Sequence, residues 1–267
     1  MTAPLVSVVL ASYNNAGLIS ESIRSILNQT YSNFEVIIAD DGSDDDSQSI
    51  INKFASAYPR IKTILSKQNE GISNNRNKAI RKATGTYIAI VDSDDICLPT
   101  RLSEQVKYLE NHANVGGLGT KWDVFTDNPD NFVKGNLSIN DINAGKVPVH
   151  NPTTMIRKQI FDNYGLFDSR IRYCEDVELY YRWYSQGVVF RNLNRYLTKY
   201  RVAHGNNTGE NINALLYWQL FKLNMMAITK YKIRFSLSGY LFTLKLFLYC
   251  LYRSLRLNHI YSVTRDI

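Results

Sequence analysis

The sequence predicts an α/β fold: a doubly wound, mostly parallel, Rossmann-like sheet carrying a C-terminal helical extension. Apolar β-branched runs alternate with helix-patterned segments over the first 92 residues, and the runs are continuously apolar, as strands covered on both faces are. Polar clusters also stand at the carboxyl ends of those runs, where sheets of this kind bind ligands.

Taken in order, "LVSVVLAS" at 5–12 reads as a strand and "LISESIRSILNQ" at 18–29 as a helix. The alternation continues with "FEVIIAD" at 34–40, a helix near 47–58, "IKTILS" at 61–66, a helix near 72–84 and "YIAIVD" at 87–92. Pro99 opens "PTRLSEQVKYLENHA", proline being tolerated in a first helical turn. Residues 126–150, rich in Asn, Asp and Gly, read as an irregular excursion of the kind that carries specificity. After "NPTTMIRKQIF", "CEDVELYYRWYSQG" regains helical spacing and stops at Gly187, and "VVFRNLNRYLTKYRV" is strand-like. These features place one domain at 1–210 and a helical tail at 211–267.

At 267 residues and 45% hydrophobic, the chain can bury one large core. The excess of 31 Lys and Arg over 24 Asp and Glu points to an anionic partner, a nucleotide, a phosphorylated lipid or a membrane surface; no nucleic-acid partner is expected. Cys97, Cys174 and Cys250 form no CxxC pair, which fits a reducing compartment. The opening "MTAPLVSVVLASYNN" lacks a basic leader, so the chain is expected to stay on the cytoplasmic side.

Three clusters converge at the strand ends: "SYNN" at 12–15, "DDGSDDD" at 40–46 and "DSDD" at 92–95. In an extended strand end Asp92 and Asp94 share one side, and two hard oxygen ligands suit Mg²⁺ or Mn²⁺; equally, Asp94 or Asp95 can cap the helix near Pro99. Asp44, Asp45, Asp46 and Ser47 stand where the next helix wants negative charge, and are read as caps. Asp41, before Gly42, is aimed into the crevice, where it can accept an imide N–H. No GxxxxGKS or GxGxxG loop is present, so the usual NTPase and dinucleotide readings lose support.

"SVVLASYNNAGLISESIRSILNQTYSNFEVIIADDGSDD", "NEGISNNRNKAIRKATGTYIAIVDSDDICLPTRL" and "CEDVELYYRW" together resemble the inverting glycosyltransferases of family 2, with the GT-A fold, over roughly residues 4 to 205. The resemblance implies that Tyr13 flanks a uracil ring, Asp41 bonds the base, Arg76 lies near the nucleotide, Asp92 faces the ribose or donor sugar, and Asp94 binds the metal joining two phosphates. It further implies Asp176 as general base, although Glu175 and Asp176 also suit a helix N-terminus electrostatically. "YRVAHGNNTG" is similar to a late segment of the family with one residue added, which makes His204 a candidate metal or diphosphate contact. Ala11 departs from the polar residue many relatives carry there. His150, in "HNPTTM", is read as structural or acceptor-contacting.

The tail is aromatic, apolar and basic, and Arg234, Ser238, Lys245, Tyr249, Tyr252 and Arg256 share one stripe of a helical wheel. It reads as an interfacial helix at an anionic inner leaflet or as a helical pair packed on the domain, and its apolar stretch just reaches spanning length. The expected function is metal-dependent transfer of a hexose, glucose or galactose, from a UDP-sugar donor to a glycan or polyprenyl-diphosphate-linked sugar acceptor. That places the protein in O-antigen, lipopolysaccharide or capsule synthesis, peripheral on the cytoplasmic side of the inner membrane. The alternative is a non-catalytic nucleotide-sugar or polysaccharide-binding protein of the same fold.

Overall fold

In the computed structural model, β1 (Val6–Ser12) is buried along its whole length because it lies between two parallel neighbours, β2 (Phe34–Asp40) and β4 (Tyr87–Asp92). The structure describes residues 3–126, 128–130, 132–134, 142, 147–202 and 210–263, with side chains of the last segment described over 215–250. β3 (Ile61–Leu65) extends the parallel set beyond β2. The helices α1 (Ile19–Leu27), α2 (Ser47–Ala57) and α3 (Ile72–Lys82) connect these strands, as the alternating pattern requires.

Beyond β4 the pairing changes. β5 (Ile96–Cys97) and α4 (Arg101–Asn111) lead to β6 (Gly117–Phe125) and β7 (Phe132–Lys134). A 3₁₀ turn at Asn151–Thr153 precedes β8 (Met155–Arg157) and α5 (Lys158–Tyr164), then α6 (Glu175–Ser185) and β9 (Phe190–Arg201). The sheet order is β3-β2-β1-β4-β8-β6-β9-β5, with β7 on β6. β8 runs antiparallel to β4 and β6, whereas β6 and β9 pair in parallel with register shifts around Lys121. This is the mixed, mostly parallel α/β sheet expected. Its two faces are packed separately, one around Val8, Ile23 and Leu102, the other around Val9, Ile90 and Trp183.

Two arginines hold the antiparallel insertion. Arg101, fully buried, donates to Ile90 O at 2.9 Å and Thr154 O at 3.3 Å, and Arg157 donates to Val115 O at 2.8 Å. One capping alternative does not hold: α4 begins after Thr100, too far along for Asp94 or Asp95 to reach its amides. Asp45 does serve α2, accepting Ser47 N–H at 2.9 Å, while its other oxygen accepts Ala16 N–H at 2.9 Å. Asp46 occupies the N-cap position without a side-chain capping bond.

α7 (Glu210–Thr229) and α8 (Leu237–Val263) form an antiparallel pair, with Tyr217 against Tyr249, Phe221 against Phe247, and Asn224 Nδ2 donating to Thr243 Oγ1 at 3.1 Å. The pair is docked on α6. Tyr181 Oη donates to Asn224 Oδ1 at 2.8 Å and Tyr231 Oη to Glu178 Oε1 at 2.5 Å, over a cluster of Val177, Leu223, Ala227, Ile233 and Phe235. Among the described residues, no helix is long and apolar enough to cross a membrane.

Candidate active site

Strand order reverses at β1, which receives β2 on one side and β4 on the other, so the carboxyl ends of β1 and β4 diverge into a crevice. A cleft of about 660 Å³ opens there, lined among others by Ala11, Tyr13, Asn15, Arg76, Asp92 and Asp94. Tyr13 stands half-exposed at its mouth. Asn15 Nδ2 donates to Ser93 Oγ at 2.7 Å and Ser22 Oγ to Asp92 O at 3.1 Å, so the "DSDD" turn is tied to β1 and α1.

Arg76 joins the two halves of the site. Its guanidinium is buried, with Nη2 on Asp92 Oδ1 at 2.7 Å and Nη1 on Glu175 Oε1 at 2.6 Å, and it lies 5.6 Å from the Phe167 ring centroid. It thereby places the start of α6 beside the end of β4. Cys174 takes the left-handed conformation at φ 56° immediately before α6, and Asp176 follows one residue after the Arg76 contact. Asp176 sits in a recess that solvent still reaches, and Oδ1 accepts Val177 N–H at 2.9 Å. Burial, reinforced by the neighbouring Glu175, lifts its carboxyl to about 7.

Asp41 lies deeper, outside the cleft lining. Its two oxygens accept Glu70 N–H at 3.0 Å and Gly71 N–H at 2.8 Å, which fixes the turn into α3. Asp40 is likewise turned inward, accepting from Ser43 and Gln48.

The "DSDD" turn is crowded with acid. Burial and the nearby Asp92 raise Asp94 to about 6; burial, then Asp92 and Asp94, raise Asp95 as well. Asp95 Oδ1 accepts Arg201 N–H at 2.9 Å, whereas its buried Oδ2 has no partner. Arg76 pairs with Asp92, and Arg201 spends Nε on the Asp94 carbonyl at 3.0 Å and Nη2 on Glu21, so among the described residues no cation pairs with the Asp94 carboxylate. A turn with this surplus of hard oxygen donors fits a divalent cation such as Mn²⁺ or Mg²⁺, with Asp94 the accessible ligand. Among the described residues no set of three His, Cys, Asp or Glu side chains forms a ready-made cage. His204 lies outside the described residues.

The structure thus brings together Tyr13, Arg76, Asp92, Asp94 and Asp176, with Asp41 one layer behind. Two features escaped sequence reasoning: Glu175 as the partner of Arg76, and Arg201, which stands in the "YR" preceding His204. His150 stacks on Trp122 at 4.2 Å and meets Tyr200 edge-on at 4.9 Å; burial lowers it to about 4, so it is neutral.

The model of the family described as Glycosyl transferase family 2 matches residues 7–165. The chain belongs to that family. It is 36% identical over 209 residues to the putative glycosyltransferase EpsE of Bacillus subtilis, covering 75% of this chain and 74% of EpsE. It is 31% identical over 221 residues to the UDP-Glc:alpha-D-GlcNAc-diphosphoundecaprenol beta-1,3-glucosyltransferase WfaP of Escherichia coli, covering 79% of this chain and 83% of WfaP. Among solved structures, the mannosyltransferase PcManGT of Pyrobaculum calidifontis, in complex with GDP-Man and Mn²⁺, superposes with TM-score 0.68 at 20% identity. That superposition covers 85% of this chain and 65% of PcManGT. This family 2 glycosyltransferase therefore has the GT-A fold, and Tyr13, Asp41, Arg76, Asp92 and Asp94 all fall within the matched segment.

Proposed function

We propose that this glycosyltransferase moves a hexose, glucose or galactose, from a UDP-sugar to a sugar hydroxyl with inversion, the acceptor being carried on a polyprenyl diphosphate. The observation that carries the reading is the Arg76 bridge, which holds the Glu175–Asp176 start of α6 beside Asp92 and the acid-rich turn. Asp176 takes the proton of the acceptor hydroxyl as that oxygen attacks the anomeric carbon from the face opposite the leaving diphosphate. Burial and the neighbouring Glu175 raise the Asp176 carboxyl, which makes its carboxylate a stronger base than an exposed one.

On the donor side, Tyr13 covers one face of the base, and Asp41, one layer behind the cleft with its oxygens on the Glu70 and Gly71 amides, holds the turn that borders the base. Asp92, held by Arg76, orients the ribose or donor sugar. Asp94 would hold the divalent cation, with His204 as a second contact; bound there, the ion neutralises the charge on the departing diphosphate. WfaP, by its name, uses UDP-Glc and a diphosphoundecaprenol-linked sugar, which supports the same donor and acceptor classes here. The reading places the protein in surface-polysaccharide assembly of the O-antigen or capsule type, on the cytoplasmic side of a membrane.

The test is turnover by purified protein with Mn²⁺ and a panel of UDP-sugars, plus GDP-mannose, with and without a synthetic diphospholipid-linked sugar. Acceptor-dependent UDP release and a new glycosidic product are expected. Equal transfer by Asp176→Asn and wild type would remove the base, and acceptor-independent binding without product would favour a binding protein of the same fold.

A further inference from the structure

The net charge of the chain is not spread over it. Residues 1–210 contain 23 basic and 23 acidic residues, whereas residues 211–267 contain eight Lys and Arg against one acid, Asp266. The whole +7 therefore belongs to the C-terminal segment.

That segment has one occupied and one open face. The inner face packs on α6 through Leu223, Ala227, Ile233 and Phe235. On the outside, Leu237, Leu241, Leu244 and Leu248 recur at i, i+4, i+7 and i+11, which is one stripe of a helix, and they are 77%, 57%, 50% and 52% exposed. Lys232 and Arg234 in the connection leading into α8, and Lys245 within it, are exposed, and none forms an ion pair among the described residues. A continuous leucine stripe bordered by unpaired cations, on a helix with Lys245 mid-length, has the make-up of a helix lying in a lipid headgroup region.

We propose that the outer face of α8, with the 230–236 connection, docks on the surface of an anionic lipid bilayer. The leucines enter the acyl boundary and the cations meet the lipid phosphates. The 4-3-4 spacing would also suit the seam of a second copy. Charge decides against it, because the face has no carboxylate between residues 211 and 265 to complement its own cations, so self-pairing would bring like charges together.

The docking has a geometric corollary. Asn224 and Tyr231 are bonded to Tyr181 and Glu178 of α6, the helix that begins with Glu175 and Asp176, so a bilayer that seats α8 also fixes the height of the proposed base above it. Docking itself is independent of the reaction; its use, presenting a lipid-borne acceptor to Asp176, rests on the reading above.

The full chain is sedimented with vesicles of phosphatidylcholine alone or mixed with phosphatidylglycerol, and its mass in solution is measured by light scattering. Co-sedimentation with the anionic vesicles only, weakened by salt, is expected. The double variants Leu241→Glu/Leu244→Glu and Lys232→Glu/Lys245→Glu should each lower the bound fraction on the order of tenfold or more, with thermal melting unchanged. Failure of the wild type to sediment, or equal sedimentation of the variants, overturns the proposal. A solution dimer that only the leucine variant dissociates, without vesicle binding, overturns it in favour of a second copy. If vesicle binding behaves as expected while wild type fails to glycosylate any acceptor, the docking stands and the reaction reading falls.

Discussion

Arg76 on α3 and Glu175 on α6, 99 residues apart in sequence, meet at 2.6 Å, and the same guanidinium holds Asp92 at 2.7 Å. One buried cation thus registers the donor side of the cleft against the proposed base. Removing it strands two carboxylates, a loss of about 3–5 kcal/mol for a buried pair. Arg76→Lys offers one ammonium where two prongs are needed, so kcat/KM should fall about a hundredfold with a lowered Tm. Kinetics and calorimetry on the same preparation check both.

Glu175→Gln separates shape from charge. The amide oxygen can still accept from Arg76, but Asp176 loses the negative neighbour that, after burial, raises it. The acidic limb of log kcat/KM against pH should move to lower pH. An unmoved limb would show that burial alone sets the titration.

For the wild type, the proposed base is the deprotonated form of Asp176, and burial, then Glu175, lifts its carboxyl to about 7. Activity should therefore rise about tenfold per pH unit below that value and level off above it. Asp176→Asn should lose about 10²- to 10⁴-fold in turnover and the acidic limb with it, while UDP affinity by titration calorimetry stays within about twofold.

Asp94 and Asp95 are chemically identical and structurally different. Asp95 is buried and accepts the Arg201 amide, a role the carbonyl oxygen of Asn can fill, so Asp95→Asn should remain folded and keep cation-dependent UDP binding. Asp94→Asn should abolish the part of UDP affinity that chelation by EDTA removes. Calorimetric titration of UDP with Mn²⁺, with Mg²⁺ and with chelator distinguishes the two.

Gly42 follows Asp41 at φ +76°, and a Cβ there would lie 2.5 Å from the backbone carbon of Gln68. Gly42→Ala should destabilise by about 1–3 kcal/mol and disturb the Asp41 hold on the 70–71 turn. A urea melt read together with donor KM measures both effects.

The parallel half of the sheet was legible because β1, β2 and β4 are buried on both faces, and a continuously apolar run records that directly. The antiparallel seat of β8 was not, since its place between β4 and β6 goes with Arg101 and Arg157 reaching backbone carbonyls far away in sequence. Asp92 and Asp94 could be read from strand alternation and resemblance. The Arg76–Glu175 contact could not, because it exists only once α3 and α6 pack near each other. Helical spacing in the tail was equally visible, but which of its apolar side chains meet α6 and which stay bare is a property of docking, not of pattern.

Arg201 distributes its donors over the Asp94 carbonyl at 3.0 Å, the Thr126 carbonyl at 3.1 Å and the Glu21 carboxylate, while its backbone amide serves Asp95 and its guanidinium lies 4.3 Å from the Phe125 ring centroid. No other side chain has a fork that spans these partners. For anyone recombining parts of related transferases to change donor preference, residues 92–95 and residue 201 form a single cassette: exchanging the acidic turn without its distant arginine would transplant the carboxylates and leave behind the brace that holds their backbone.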